Sequence, residues 1–182
     1  PQSAVRDPGF YQLGGRGRKY RDWKKWGHGG SVSLDLAISQ SCDVYFYDLA
    51  HRLGIERLHD FAVKFGLGAA TGVDQTSERP GVMPSNAWKQ KALGQPWYPG
   101  ETLSAGIGQG YVLATPIQVL VETAAVANGG TIVAPRVVHH MTDSNGGLQK
   151  DFAPVVERKL PISTEDLQAV REGMIATVHG PG

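Results

Sequence analysis

The sequence predicts a mixed α/β (α+β) chain in which helices dominate. Apolar residues recur at helical spacing in several separated segments, each bracketed by helix start or stop residues. One stretch, residues 131–138, reads instead as a short strand or extended pair. The 24 glycines and 11 prolines fall in the connections and form no repeat, so the chain is built of discrete elements rather than a solenoid.

Residues 1–32 are rich in Gly, Arg and aromatics without a sustained period, and read as an irregular arm. Residues 33–182 form the helical core and its adjoining segments. A helix is expected from Ser33, whose hydroxyl can cap Leu34, Leu36, Ala37 and Ile38. The polar triplet Ser41-Cys42-Asp43 interrupts it. Val44, Phe46, Tyr47, Ala50 and Leu53 then recur at helical spacing up to Gly54, a natural stop. An amphipathic helix over 55–65 follows, closed by Gly66 and Gly68. Residues 66–110 read mostly as turns, at Arg79-Pro80-Gly81, Met83-Pro84, Tyr98-Pro99-Gly100 and Gly106 to Gly110. Thr115-Pro116 starts a helix with threonine at the cap and proline at the first helical position. Its run, 117–127, is nearly all apolar and predicts burial on most sides, until Asn128-Gly129-Gly130 ends it. Asn145-Gly146-Gly147 is a turn, and Ser163 with Asp166 opens a last helix to about residue 178.

At 182 residues the chain suits one domain with a sizeable core, and 41% apolar with 19% charged residues excludes wholesale disorder. A formal charge of +1 points to no nucleic acid and no anionic membrane. The cations from Arg16 to Lys25, interrupted by Trp23 and Trp26, read as a solvated basic loop ahead of a phosphate-binding patch. No run approaches the ~18 apolar residues of a membrane helix, and no signal-peptide pattern opens the chain, so any anchor or export signal is expected outside this stretch. The single cysteine, Cys42, excludes an internal disulfide. The Gly106-Ile107-Gly108-Gln109-Gly110 run lacks the Lys-Ser/Thr of a phosphate loop and reads as a tight turn.

Several blocks, in register over nearly the whole chain, carry a resemblance. They are Arg21-Asp22-Trp23-Lys24-Lys25-Trp26-Gly27-His28-Gly29, Ser41-Cys42-Asp43-Val44-Tyr45-Phe46-Tyr47, Pro96-Trp97-Tyr98, Gly106-Ile107-Gly108-Gln109-Gly110-Tyr111 and Thr115-Pro116-Ile117-Gln118. Together they resemble the penicillin-binding protein 2 family, the elongation-type class B peptidoglycan D,D-transpeptidases. The chain is identified as a central part of a single transpeptidase domain. The resemblance implies the penicillin-binding protein/serine beta-lactamase-like fold, here mostly its helical subdomain beside an antiparallel sheet covered by helices.

It also implies a function in lateral cell-wall elongation. A serine of an S-x-x-K motif attacks the D-Ala-D-Ala amide of a peptidoglycan peptide stem, D-alanine leaves, and an amine of a second stem resolves the acyl-enzyme. Beta-lactam antibiotics trap that serine. The implied location is the inner (cytoplasmic) membrane, with a single-pass anchor outside this chain and the catalytic domain in the periplasm. The implied partners are the rod-shape elongation machinery, a membrane glycan polymerase and a scaffold protein. A D,D-carboxypeptidase or serine beta-lactamase of the same superfamily, or a non-catalytic interaction or sensor domain, are the alternatives.

The chemistry needs a nucleophile, a nearby base and oxyanion donors. Ser41-Cys42-Asp43 falls where the second motif, S-x-N, belongs; Ser41 would pass protons between the catalytic lysine and the leaving amine. Asp43 stands in place of asparagine, and an ionised carboxylate accepts hydrogen bonds but donates none. An aspartate variant resembles the elongation subgroup. On local sequence alone the triplet reads first as a helix cap; the surrounding blocks turn it to catalysis. No S-x-x-K occurs. Lys64-Phe65-Gly66 ends an amphipathic helix and is rejected as the K-[TS]-G strand. The chain starts downstream of the expected nucleophile and ends, at His179-Gly180-Pro181-Gly182, in what resembles the stretch before the third motif. Alone it is expected to be inactive.

Asp7, Asp22, His28 and Cys42 offer two carboxylates, an imidazole and a thiolate, a closed four-donor set suited to structural zinc. On spacing alone a buried free cysteine, a solvent-facing histidine and two surface aspartates come first, because no C-x-x-C or H-x-x-x-H is present. The resemblance implies zinc at these four positions, stapling the arm behind the second motif. His51, His59, His139 and His140 read as plain surface histidines.

Overall fold

The structure, a computed structural model, describes residues 3–180. Pro181 and Gly182, the end of the stretch that resembles the one before the third motif, lie outside the described residues. The chain divides into two compact units: residues 1–61, 84–112 and 162–182 form the first, and residues 62–83 and 113–161 the second.

In the first unit the expected irregular arm is in fact strand-paired. β1 (Val5–Asp7) pairs antiparallel with β4 (Gly29–Val32), and β2 (Phe10–Gln12) with β3 (Lys19–Arg21). Strands this short carry no readable two-residue alternation, so the pairing is invisible in the sequence. Two glycines let the ladders cross. A Cβ on Gly27 (φ 72°) would lie 2.1 Å from the Asp7 carbonyl oxygen, and one on Gly9 (φ 89°) would lie 2.4 Å from that of Lys25.

Next come α1 (Leu34–Ser39) and α2 (Asp43–Ala62), the latter broken at Gly54, where φ 76° and ψ 163° leave the helical region. That break is the expected stop. Val32, Ala37, Cys42, Val44, Tyr45 and Tyr47 bury together with Leu103 as the core of this unit.

Two helices stand where turns were expected. α3 (Asn86–Leu93) starts at Ser85, whose hydroxyl accepts the Trp88 N–H at 3.1 Å. α4 (Pro99–Gly106) starts behind Tyr98, whose N–H donates to Glu101 Oε2 at 2.8 Å. Tyr98-Pro99 is thus the same start signal as Thr115-Pro116, masked by Gly100. The last helix, α6 (Thr164–His179), begins as expected at Ser163, which accepts the Asp166 N–H at 3.0 Å. It lies so close to α1 that a Cβ on Gly173 would meet the Ile38 side chain at 2.9 Å.

In the second unit α5 (Pro116–Ala127) shows the expected cap: Thr115 Oγ1 accepts the Gln118 N–H while Gln118 Oε1 accepts the Thr115 N–H at 2.8 Å. Its burial is narrower than expected. Gln118, Val121 and Ala125 are buried, whereas Val119 and Leu120 are exposed. β5 (Thr131–Val133) pairs antiparallel with β8 (Val156–Lys159), and β6 (His140–Thr142) forms a hairpin with β7 (Leu148–Asp151) around the Asn145-Gly146-Gly147 turn.

Candidate functional site

The triplet Ser41-Cys42-Asp43 occupies the junction between α1 and α2. α1 closes with the Cys42 N–H on the Ala37 carbonyl at 2.9 Å and the Ser41 N–H on that of Ile38 at 3.3 Å. These are the two bonds of a Schellman closure, which places Ser41 at the left-handed position that glycine ordinarily takes. Its φ is 52°. A serine held there costs roughly 1–2 kcal/mol relative to right-handed backbone. The cap reading and the motif reading therefore describe the same turn, and it leaves Ser41 exposed while burying Cys42 completely.

Asp43 opens α2 half-buried, and its carboxylate accepts the Trp23 N–H. Burial, reinforced by the charge of Asp22, pushes the Asp43 carboxyl above the ordinary carboxylate range. Trp23 also donates its indole N–H to the Gln40 carbonyl at 2.9 Å. One residue thus holds both flanks of the triplet, a role no local pattern discloses.

Behind Ser41 the structure brings Asp7, Asp22, His28 and Cys42 together, with one donor atom from each within 4.8 Å of the others. Asp7 and Asp22 are buried, and the His28 side chain has no exposed area, contrary to its expected solvent-facing alternative. His28 Nδ1 lies 2.7 Å from Asp7 Oδ2 and 3.7 Å from Asp22 Oδ1. The Cys42 thiol donates to Asp7 Oδ2 at 3.4 Å. Backbone N–H groups aim the remaining lone pairs. Gly9 donates to Asp7 Oδ1 at 2.7 Å, His28 to Asp7 Oδ2 at 2.8 Å, Lys24 to Asp22 Oδ1 at 3.0 Å and Val44 to Asp22 Oδ2 at 3.2 Å.

Burial works against ionising Asp7, but the hydrogen bonds from His28 and Gly9 outweigh it and hold the carboxyl below its usual range. Burial, with the charges of Asp7 and Asp22 added, pushes the Cys42 thiol up to about 12. His28 Nε2 is buried without a hydrogen-bond partner. Two buried carboxylates, a thiol and an imidazole converge at this spacing, and their donor types match the ligands zinc takes at ~2.0–2.3 Å. The residues fit the ion.

Among the described residues the other histidines form no such group. His139 and His140 are exposed and hydrogen-bond each other, Nδ1 to Nδ1 at 3.1 Å, and His51 is exposed. Gly106 to Gly110 runs from the end of α4 into a turn, with Gly106 so close to α2 that a Cβ would meet that of Ala50 at 2.3 Å. Sequence reasoning missed a second buried polar group. Lys89 is 1% exposed and ion-pairs with Glu101, under the rings of Tyr98, Tyr111 and Trp97 at 4.6, 5.5 and 5.8 Å. The available signal was Lys89 and Glu101 flanking the Pro96-Trp97-Tyr98 block.

Among the described residues no helix is long and apolar enough to cross a membrane. The model of the penicillin-binding protein transpeptidase domain matches residues 1–182. Peptidoglycan D,D-transpeptidase MrdA of Escherichia coli (strain K12) is 44% identical over 176 residues, 96% of this chain and 27% of that protein. The crystal structure of Pseudomonas aeruginosa PBP2 in complex with WCK 5153 is similar at a TM-score of 0.85 and 46% identity, covering 99% of this chain and 38% of that one. The complex between PBP2 and MreC from Helicobacter pylori follows at 0.80 and 36%, covering 98% and 31%. The chain thus spans about a quarter of the length of the curated relative it matches. Matched over its whole length, the chain belongs to the penicillin-binding protein transpeptidase domain family.

Proposed function

We propose that this chain is the central part of a serine D,D-transpeptidase that cross-links peptidoglycan peptide stems during lateral elongation. The observation that carries the proposal is Ser41: exposed, in a left-handed backbone, in a triplet that resembles the family's second motif. Backbone strain of this kind persists where the surrounding structure over-determines it, and it clusters at functional sites. In the reaction an S-x-x-K serine supplied by the rest of the protein attacks the penultimate D-alanine carbonyl. The D-Ala–D-Ala bond breaks, D-alanine leaves with a proton, and the acyl-enzyme passes to the amine of a second stem. Ser41 relays the proton between the catalytic lysine and the leaving amine, while Asp43 lines the same wall.

Zinc held by Asp7, Asp22, His28 and Cys42 belongs to the same proposal. Four protein donors leave no open coordination position, so the ion would supply a structural countercharge and staple rather than a Lewis acid. Beta-lactams as ligands, a membrane anchor with a periplasmic catalytic domain, and a glycan polymerase and scaffold as partners complete it. The complex of the Helicobacter pylori relative with MreC supports the scaffold.

Fluorescent penicillin tests the proposal on the full-length protein. Stable covalent labelling is expected, slowed about 10²–10⁴-fold by Ser41→Ala, the range for a lost proton-transfer group. Absence of labelling would overturn the enzyme assignment, and rapid turnover of the label would favour the beta-lactamase alternative.

A further inference from the structure

We infer that the Trp23 indole is the platform of a binding subsite beside Ser41 that takes a carboxylate-bearing peptide strand. The inference rests on the transpeptidase reading and adds to it a residue that contacts substrate. Trp23 is 65% exposed, yet both of its polar groups are tied down. Its indole N–H is on the Gln40 carbonyl and its backbone N–H on the Asp43 carboxylate, one residue to either side of Ser41 and Cys42. Its ring also stands edge-on to that of His28, centroids 5.7 Å apart. A large apolar side chain that is fixed in place and still faces water gains nothing for folding from that exposure. Its orientation is already settled before a ligand arrives, which lowers the ordering cost of binding.

The neighbouring aromatics are occupied. Lys19 sits over Phe10 at 4.1 Å, Arg18 over Tyr20 at 5.2 Å and Lys25 over Trp26 at 4.8 Å. Among the described residues no cation lies over Trp23, so its face is open. From Arg16 to Lys25 the arm carries six cationic side chains, Arg16, Arg18, Lys19, Arg21, Lys24 and Lys25, all on exposed residues. Its one acid, Asp22, is buried among the metal-site donors. The chain as a whole is only +1, so this surface concentrates positive charge. An apolar face bordered by cations complements a strand with aliphatic side chains and carboxylates, whereas a neutral amino-sugar chain would leave the cations unmatched.

The test is steady-state D-alanine release by the full-length protein from an acidic pentapeptide ending in D-Ala-D-Ala, with zinc content as the folding control. Trp23→Ala is expected to raise KM about tenfold, the cost of truncating a buried-on-binding tryptophan. Trp23→Phe keeps an aromatic face and loses the Gln40 tether, so any kcat lost with the tether should be shared by both variants while its KM stays well below that of Trp23→Ala. The double change Lys24→Gln with Lys25→Gln should raise KM and flatten its salt dependence. An unchanged KM in Trp23→Ala would overturn the subsite. So would equal KM values in Trp23→Ala and Trp23→Phe with only kcat lowered, which would make Trp23 only a prop for Ser41. Competition by an N-acetylglucosamine hexamer as effective as that by the peptide would overturn the peptide assignment. Failure of penicillin to label the parent would instead sink the transpeptidase reading itself, which keeps the two distinguishable.

Discussion

The Cys42 thiol reaches the Asp7 carboxylate across 35 positions of chain, Sγ to Oδ2 at 3.4 Å. That contact joins the first strand of the arm to the residue between Ser41 and Asp43, so whatever displaces Asp7 acts on that turn. Gly27 makes the approach possible, because any side chain there would strike the Asp7 carbonyl.

Metal analysis is therefore expected to find about one zinc per chain in purified protein, and His28→Ala or Cys42→Ala to lose it. Chelation should lower Tm by at least ~3 °C, given that ~1 kcal/mol moves a domain of this size by about 2–4 °C. Elemental mass spectrometry and thermal melts check both, and a metal-free parent would remove the four residues as ligands without touching the family assignment.

Ser41→Gly separates stability from function. Glycine takes the left-handed position without a Cβ penalty, so the variant should gain about 0.5–1 kcal/mol while penicillin labelling collapses. Denaturant unfolding beside the labelling assay reads the two effects, and a destabilised glycine variant would contradict the strain assigned to the Schellman position.

Lys89 and Glu101 should behave as a unit. Lys89→Met leaves Glu101 without its cation and is expected to cost about 3 kcal/mol, as breaking a buried pair does. Adding Glu101→Gln keeps an acceptor for the Tyr98 N–H and removes the stranded charge, so the double variant should recover most of the loss. A double-mutant cycle by chemical denaturation reports the coupling.

Gln118 closes the second unit from inside. Its Nε2 donates to the carbonyls of Ala69 at 2.6 Å and Pro80 at 2.8 Å, while Oε1 serves the α5 cap. Gln118→Leu should cost about 1–3 kcal/mol for each carbonyl left unsatisfied. Gln118→Glu, which keeps the cap acceptor but aims a carboxylate at those same carbonyls, should cost more; a loss much smaller than that of Gln118→Leu would show that the cap alone matters.

Asp74 predicts acid sensitivity in the second unit. Its carboxylate accepts the N–H groups of Val137 at 2.6 Å and Val138 at 3.0 Å, which hold it below the ordinary carboxylate range. A lowered carboxyl contributes stability that is full above the ordinary range and lost as pH falls through its depressed value. Asp74→Asn should therefore lower Tm in the neutral region, where that contribution is full, and flatten the acid limb, so that the two Tm–pH profiles converge at low pH. An unchanged acid limb would discount the bond pair.

The sequence by itself determined the helix starts that depend on contacts three residues apart, as at Thr115-Pro116 and Ser163, and the stops at Gly54 and Asn128; at Ser33 it placed the start but not the bond, because that hydroxyl donates to Asp35 instead of capping α1. It also carried the motif blocks, and so the family, and the chemical identity of the four candidate donors. Only the tertiary structure decided that those donors converge, since spacings of 15, 6 and 14 residues across Asp7, Asp22, His28 and Cys42 carry no local signature. Their meeting depends on strands three or four residues long, paired through backbone atoms and crossing at Gly9 and Gly27. The left-handed Ser41 and the tether of Trp23 to Gln40 were equally illegible, because each is set by bonds to carbonyls that every residue possesses. Side-chain pattern encodes local helices; backbone crossings and long-range polar contacts exist only once the chain has closed on itself.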